Sequence, residues 1–130
     1  MNDNMSQDNS DKIIQIDKKA IRLFTELGMP KNLAKILLYI SQIDECKSID
    51  IEQDNRMRQP EVSVALQQLI KKGWITKREQ RKKRKGRPVK IFKLAYPIDK
   101  IITKIEKEKL KEIENVKKDI SILKNLIEGL

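Results

Sequence analysis

Arg58, Gln59, Ser63, Val64 and Gln67 lie within a ten-residue stretch of this 130-residue chain. Their side chains match the edges of bases in a duplex groove. Arginine donates two hydrogen bonds to guanine, glutamine pairs with adenine, serine serves either base or a phosphate, and valine packs on a thymine methyl. Glu61 offers an acceptor for cytosine, but a carboxylate in the first turn of a helix also suits the positive end of the helix dipole, and that structural role is preferred. Between Lys77 and Lys93 stand ten Lys or Arg residues and one acid, Glu79, whereas the other 113 residues hold 19 basic and 18 acidic groups. Almost all of the net charge of +10 therefore sits in one short segment, which favours a polyanionic partner. Lys82, Lys83, Arg84, Lys85 and Lys90 are expected at phosphates, where they supply affinity and register without reading sequence. Arg87 lies between Gly86 and Pro88. The glycine permits a tight turn and the proline stiffens the exit, so Arg87 is held extended, as an arginine entering a narrow A·T-rich minor groove must be. The tripeptide also looks like the core of an AT-hook.

These side chains need elements to carry them. Pro60–Lys72 predicts a helix closed by Gly73, with Val62, Ala65, Leu66, Leu69 and Ile70 as its buried stripe. A hairpin follows, Trp74–Arg78 and Val89–Leu94 around a basic tip, with Trp74 as a core or hinge aromatic. Upstream, Ser48 suits the cap of a short helix to about Asn55, anchored by Ile49 and Ile51, with Met57 a further candidate anchor. Two short helices joined by a few residues make a helix-turn-helix. Two further helices precede it. The first starts at a Ser10 cap, shows Ile13, Ile16, Ala20, Leu23, Phe24 and Leu27 on one stripe, and ends at Gly28. The second follows Pro30 and is apolar on most faces through Leu33, Ala34, Ile36, Leu37, Leu38, Tyr39, Ile40 and Ile43, which makes it the central buried helix.

Tyr96–Pro97 ends the hairpin, and from Ile98 to about Glu128 the chain contains no Pro or Gly. Ile113, Val116, Ile120, Leu123, Ile127 and Leu130 recur at spacings of three and four, a coiled-coil seam. Ile98, Ile102 and Ile105 carry a similar stripe upstream, with a slip of phase near Lys109 and Leu110. Two readings stand: the helix folds back on its own chain, or it pairs with a second copy. A homodimer is preferred, with Ile113, Val116, Ile120, Leu123 and Ile127 as its contacts, because a two-fold protein matches a palindromic site.

Other chemistry is poorly served. The chain has no histidine and one cysteine, Cys46, so no disulfide framework and no soft-metal site is expected, and Cys46 reads as a lone loop or core thiol. No paired carboxylates, Gly-rich phosphate loop or nucleophile–base set is recognisable, so an enzyme is the weakest reading and no cofactor is expected. No signal peptide, membrane span or effector pocket is legible, which fits a cytoplasmic protein.

The run Arg58–Leu66, then Lys72–Ile75, then Lys85–Lys90 resembles archaeal winged helix-turn-helix transcriptional regulators of the broad group that includes the ArsR and MarR families. The resemblance covers about Gly28 to Leu94 well and the flanks more loosely. It implies a mainly α fold with a small β-hairpin (α+β), a recognition helix at about 60–72 and a DNA-binding repressor or activator. The Cys and His clusters of metal-sensing ArsR proteins are missing, so that mode does not carry over. The expected organisation is a disordered tail at 1–9, a winged helix-turn-helix at 10–96 and a dimerisation helix at 97–130. Double-stranded DNA and a second copy of the chain are the expected partners. The rival functions are an architectural, chromatin-type DNA binder without base readout, and a protein-binding winged helix of the transcription machinery.

Overall fold

The computed structural model of the chain describes residues 18–81 and 86–130. The expected tail at 1–9, the Ser10 cap, Ile13 and Ile16 lie outside the described residues, as do Lys82, Lys83, Arg84 and Lys85. The described elements run α1 (18–26), α2 (Lys31–Gln42), α3 (Ser48–Asn55), α4 (Gln59–Lys71), β1 (Ile75–Gln80), β2 (Val89–Leu94) and α5 (Ile98–Glu128). The chain divides into two compact units between Ala95 and Tyr96.

In the first unit α2 is the central element. Leu33, Ala34, Ile36, Leu37 and Ile40 are all buried, because spacings of three and four keep one broad helical face turned inward. α2 packs against α3, α4 and β2. Pro30 is its N-cap, where the missing N–H costs nothing. Gly28, at φ +96°, ends α1. Phe24 is buried, but Leu23 and Leu27 are exposed, so the inward stripe of α1 is narrower than its sequence predicts. The Tyr39 hydroxyl of α2 donates to the Asp54 carboxylate of α3; burial, then this hydrogen bond and the nearby carboxylates, raise the Tyr39 pKa.

The cap of α3 lies one residue earlier than expected. Lys47 is the N-cap, and its backbone N–H donates to Asp50 Oδ2 at 2.9 Å. Ile51 is fully buried whereas Ile49 is 48 % exposed, correcting the paired anchor. Two residues apart on a helix is about 200° of rotation, so Ile49 and Ile51 cannot share a face. Met57 is buried as expected. Arg56 closes α3 in the left-handed region at φ 52°.

β1 and β2 pair antiparallel, with Ile75 opposite Leu94 and Gln80 opposite Val89. Cys46 adds a partner that the sequence does not announce. Its N–H donates to the Phe92 carbonyl at 3.0 Å, and the Phe92 N–H donates to its carbonyl at 2.8 Å. This single bridge lies outside the named strands. Trp74 is buried just before β1, with Lys72 Nζ 5.0 Å from its ring centroid.

The second unit is α5 with its lead-in. Pro97 is the N-cap and Gly129 the C-cap, and the 31 residues are long enough to span roughly 46 Å. Ile101 and Ile105 are buried, whereas Ile102 is 47 % exposed. The upstream stripe therefore runs through Ile101 and Ile105, not Ile102, since residues four apart share a helical face. Lys104 Nζ lies 4.7 Å from the Tyr96 ring centroid. No helix among the described residues is long and apolar enough to cross a membrane.

Truncating the fully buried Ile36 with Ile36→Ala should cost about 2–5 kcal/mol of unfolding free energy, measured by urea denaturation. Gly73, at φ +77°, has nothing within 4 Å of an added Cβ. Gly73→Ala should therefore show backbone strain alone, a loss of about 1–2 kcal/mol in the same assay.

Candidate nucleic-acid interface

The site is built on α4. Val62, Ala65, Leu66 and Leu69 are buried on one side of the helix, and α4 packs on α2, α3 and β1. Ile70 is only part-buried, a correction to the expected stripe. Burying that stripe turns the polar side outward. Gln59 and Gln67 are exposed and Ser63 is half-exposed; the three stand four residues apart and so stack along one face. Arg58 is the N-cap and is exposed. Its backbone N–H donates to Glu61 Oε2 at 3.4 Å, so Glu61 serves the start of its own helix.

The hairpin supplies the other wall. Directly opposed residues of an antiparallel pair share a face, so the pairing of Lys77 with Phe92 and of Glu79 with Lys90 puts all four on one side of the ribbon. Lys77, Lys90 and Phe92 join Ser48, Gln59, Ser63, Leu66, Gln67 and Ile70 around a hollow of about 170 Å³. Two ammonium groups, two amides and two hydroxyls converge there, and no acid is among the lining residues. Such a surface donates hydrogen bonds toward an anion or toward acceptors on a base edge.

The predicted residues do not all meet. Val64 is exposed but lines a different hollow of about 470 Å³, with Pro30, Asn32, Leu33, Pro60, Glu61, Ala65 and Gln68. It follows Ser63 by one residue and so lies about 100° around the helix from it. Arg87 and Lys90 are exposed on the hairpin. Arg78 points elsewhere: it pairs with Glu45 at 2.7 Å, on the opposite ribbon face from Lys77. Lys77 and Ser48 are the polar lining residues that are not among the contacts expected from the sequence. Strand alternation marks Lys77, since it lies two residues from the position opposite Lys90. Nothing local marks Ser48, which arrives through the packing of α3 on α4.

Cys46 is buried. Burial, reinforced by the Asp50 and Asp54 carboxylates, pushes its thiol up to about 11. No group of three or more His, Cys, Asp or Glu residues able to hold a metal ion occurs among the described residues.

No protein-family model matches the chain, and no curated protein sequence matches it. Solved structures do. A possible transcriptional regulator from Methanosarcina mazei Go1 aligns over 76 % of this chain and 82 % of its own, at 14 % identity and a TM-score of 0.64. A MarR-family transcription regulator aligns over 87 % of this chain and 73 % of its own, at 17 % identity and a TM-score of 0.51. The archaeal chromatin protein TrmBL2, described as having a novel mode of DNA binding, aligns over 88 % of this chain at 18 % identity and a TM-score of 0.57; this chain covers 42 % of it. At these identities the likeness carries the fold, a winged helix-turn-helix followed by a long C-terminal helix.

The raised thiol pKa has a direct consequence. At pH 8 native Cys46 should react with a thiol-specific reagent far more slowly than in urea, by about a hundredfold for two pKa units. Equal rates would place the thiol at the surface.

Proposed function

We propose that the chain is a sequence-specific double-stranded DNA-binding transcription regulator that acts as a homodimer. The observation that carries this reading is the acid-free, donor-rich hollow between α4 and the hairpin. α4 enters the major groove, with Arg58, Gln59, Ser63 and Gln67 toward base edges and phosphates. Val64, on the neighbouring flank, meets a thymine methyl. The hairpin lies alongside: Lys90 and the basic tip Lys82, Lys83, Arg84 and Lys85 meet phosphates, and Arg87 enters the minor groove. The homodimer rests on α5, where Ile113, Val116, Ile120, Leu123 and Ile127 are all exposed in the single chain. A long apolar row facing water favours a partner.

A second reading, a chromatin-type binder that ignores sequence, is favoured by the concentration of charge in the hairpin. Selection on randomised duplex DNA at about 0.2 M salt, where purely electrostatic binding weakens steeply, separates the two. Recovery of a two-fold motif is expected; no motif, or only an A·T bias, would favour the second reading.

Individual roles are separable. Gln67→Ala should relax base preference at one position per half-site, a loss of about 1–3 kcal/mol of discrimination; a uniform loss across sequences would reassign it to phosphate. Arg87→Ala should weaken binding most where the flanks are A·T-rich, and equal loss on G·C-rich flanks would remove it from the minor groove. Ile120→Asp should give monomers in light scattering and weaken binding to paired half-sites, whereas an unchanged dimer would exclude the α5 seam as the main interface.

A further inference from the structure

α5 carries a charge pattern beside its apolar seam. The spacings fix the heptad frame, because a step of three leads from a to d and a step of four from d to a. Ile113, Ile120 and Ile127 are then a positions, and Val116, Leu123 and Leu130 are d positions. All six are exposed in the single chain. A β-branched residue at every a, with leucine at two of three d positions, is the arrangement that favours two parallel strands. The frame fails upstream, where Glu106 and Lys109 would occupy a and d, so the seam starts after them.

The flanking positions discriminate between orientations. Glu112 and Asp119 occupy g, and Lys117 and Lys124 occupy e; all four are exposed. In a parallel pair each g residue faces the e residue five positions on in the other helix. Glu112 of one copy then meets Lys117 of the other, and Asp119 meets Lys124. In an antiparallel pair g faces g and e faces e, so with all six seam residues kept together Lys117 would oppose Lys124, Asp119 would oppose Leu126, and both acid–lysine pairs would be lost. Like charges across the seam are destabilising. Glu112 already pairs with Lys109 of its own helix at 3.2 Å; both side chains are solvent-accessible there, so that contact is readily shared or exchanged.

We infer that α5 pairs with a second copy of itself in parallel and in register over residues 112–130. The inference rests on the homodimer reading above and adds its orientation. Because α5 follows directly on the hairpin, a parallel pair carries both helix-turn-helix units at the same end of the coil. An antiparallel pair would attach them at opposite ends.

The test is disulfide trapping. In a Cys46→Ala chain, Val116→Cys places a thiol at a d position that faces its own copy only in the parallel arrangement. In an antiparallel seam centred on the same residues, the two thiols would lie roughly 16 Å apart, too far to bridge. Equilibration in a glutathione buffer should give a disulfide-linked dimer on a non-reducing gel. The charge pattern is tested in the otherwise unchanged chain by sedimentation equilibrium. Glu112→Lys with Asp119→Lys should weaken the dimer by about tenfold, and adding Lys117→Glu with Lys124→Glu should restore it. A dimer that neither crosslinks nor responds to the charge changes would overturn the parallel orientation and leave the homodimer standing. An unaltered chain that sediments as a monomer would overturn the homodimer reading, and the orientation with it.

Discussion

The interface depends on one packing constraint: α4 must bury a single stripe. Thirteen residues make less than four turns, too short a helix to persist alone in water. Its stability comes from sealing Val62, Ala65, Leu66 and Leu69 against the neighbouring helices. Once that side is committed, the rotation of the helix is fixed, and Gln59, Ser63 and Gln67 have to face outward. The same packing brings the hairpin alongside, because Trp74 follows Gly73 at once and is itself buried. The exposed polar face and the core stripe are thus two sides of one helix.

The hairpin distributes its charge by strand alternation. Lys77 and Lys90 lie on the face that closes the hollow beside α4. Arg78, one residue from Lys77, lies on the other face and is held by Glu45. That pair is partly exposed and so contributes little to stability, but it ties β1 to the α2–α3 connection. Cys46 does the same through the backbone, adding one more hydrogen-bonded edge to β2. The hairpin is therefore anchored to that connection through both of its strands.

Some of this was legible in the sequence for identifiable reasons. The limits of α5 and β2 follow from Pro97, Pro88 and Gly129 together with uninterrupted periodic runs between them. The α4 stripe was legible because its five apolar positions repeat at helical spacing, and four of them are buried. Short elements defeated the pattern. Ile49 and Ile51 both looked like anchors of an eight-residue helix that has only one inward position for them. Ile101 and Ile102 are adjacent and equally apolar, so only packing decides which is buried. The Cys46 bridge is a single residue with no period at all. The candidate site was legible as residue types, since Gln59, Ser63, Gln67 and Lys90 stand out in the sequence and all four line the hollow. The lining of the hollow was not, because Ser48 and Lys77 reach it, and Val64 lines a neighbouring one, through tertiary geometry.

The central claim is that the exposed face of α4 reads sequence while the hairpin holds the backbone. The most direct test is the ratio of affinities for the chain's selected site and for a scrambled duplex of equal composition, at one fixed salt concentration. A sequence-reading protein should show a ratio of about a thousandfold or more. A ratio near unity would contradict the claim and leave the charged hairpin as the whole of the binding.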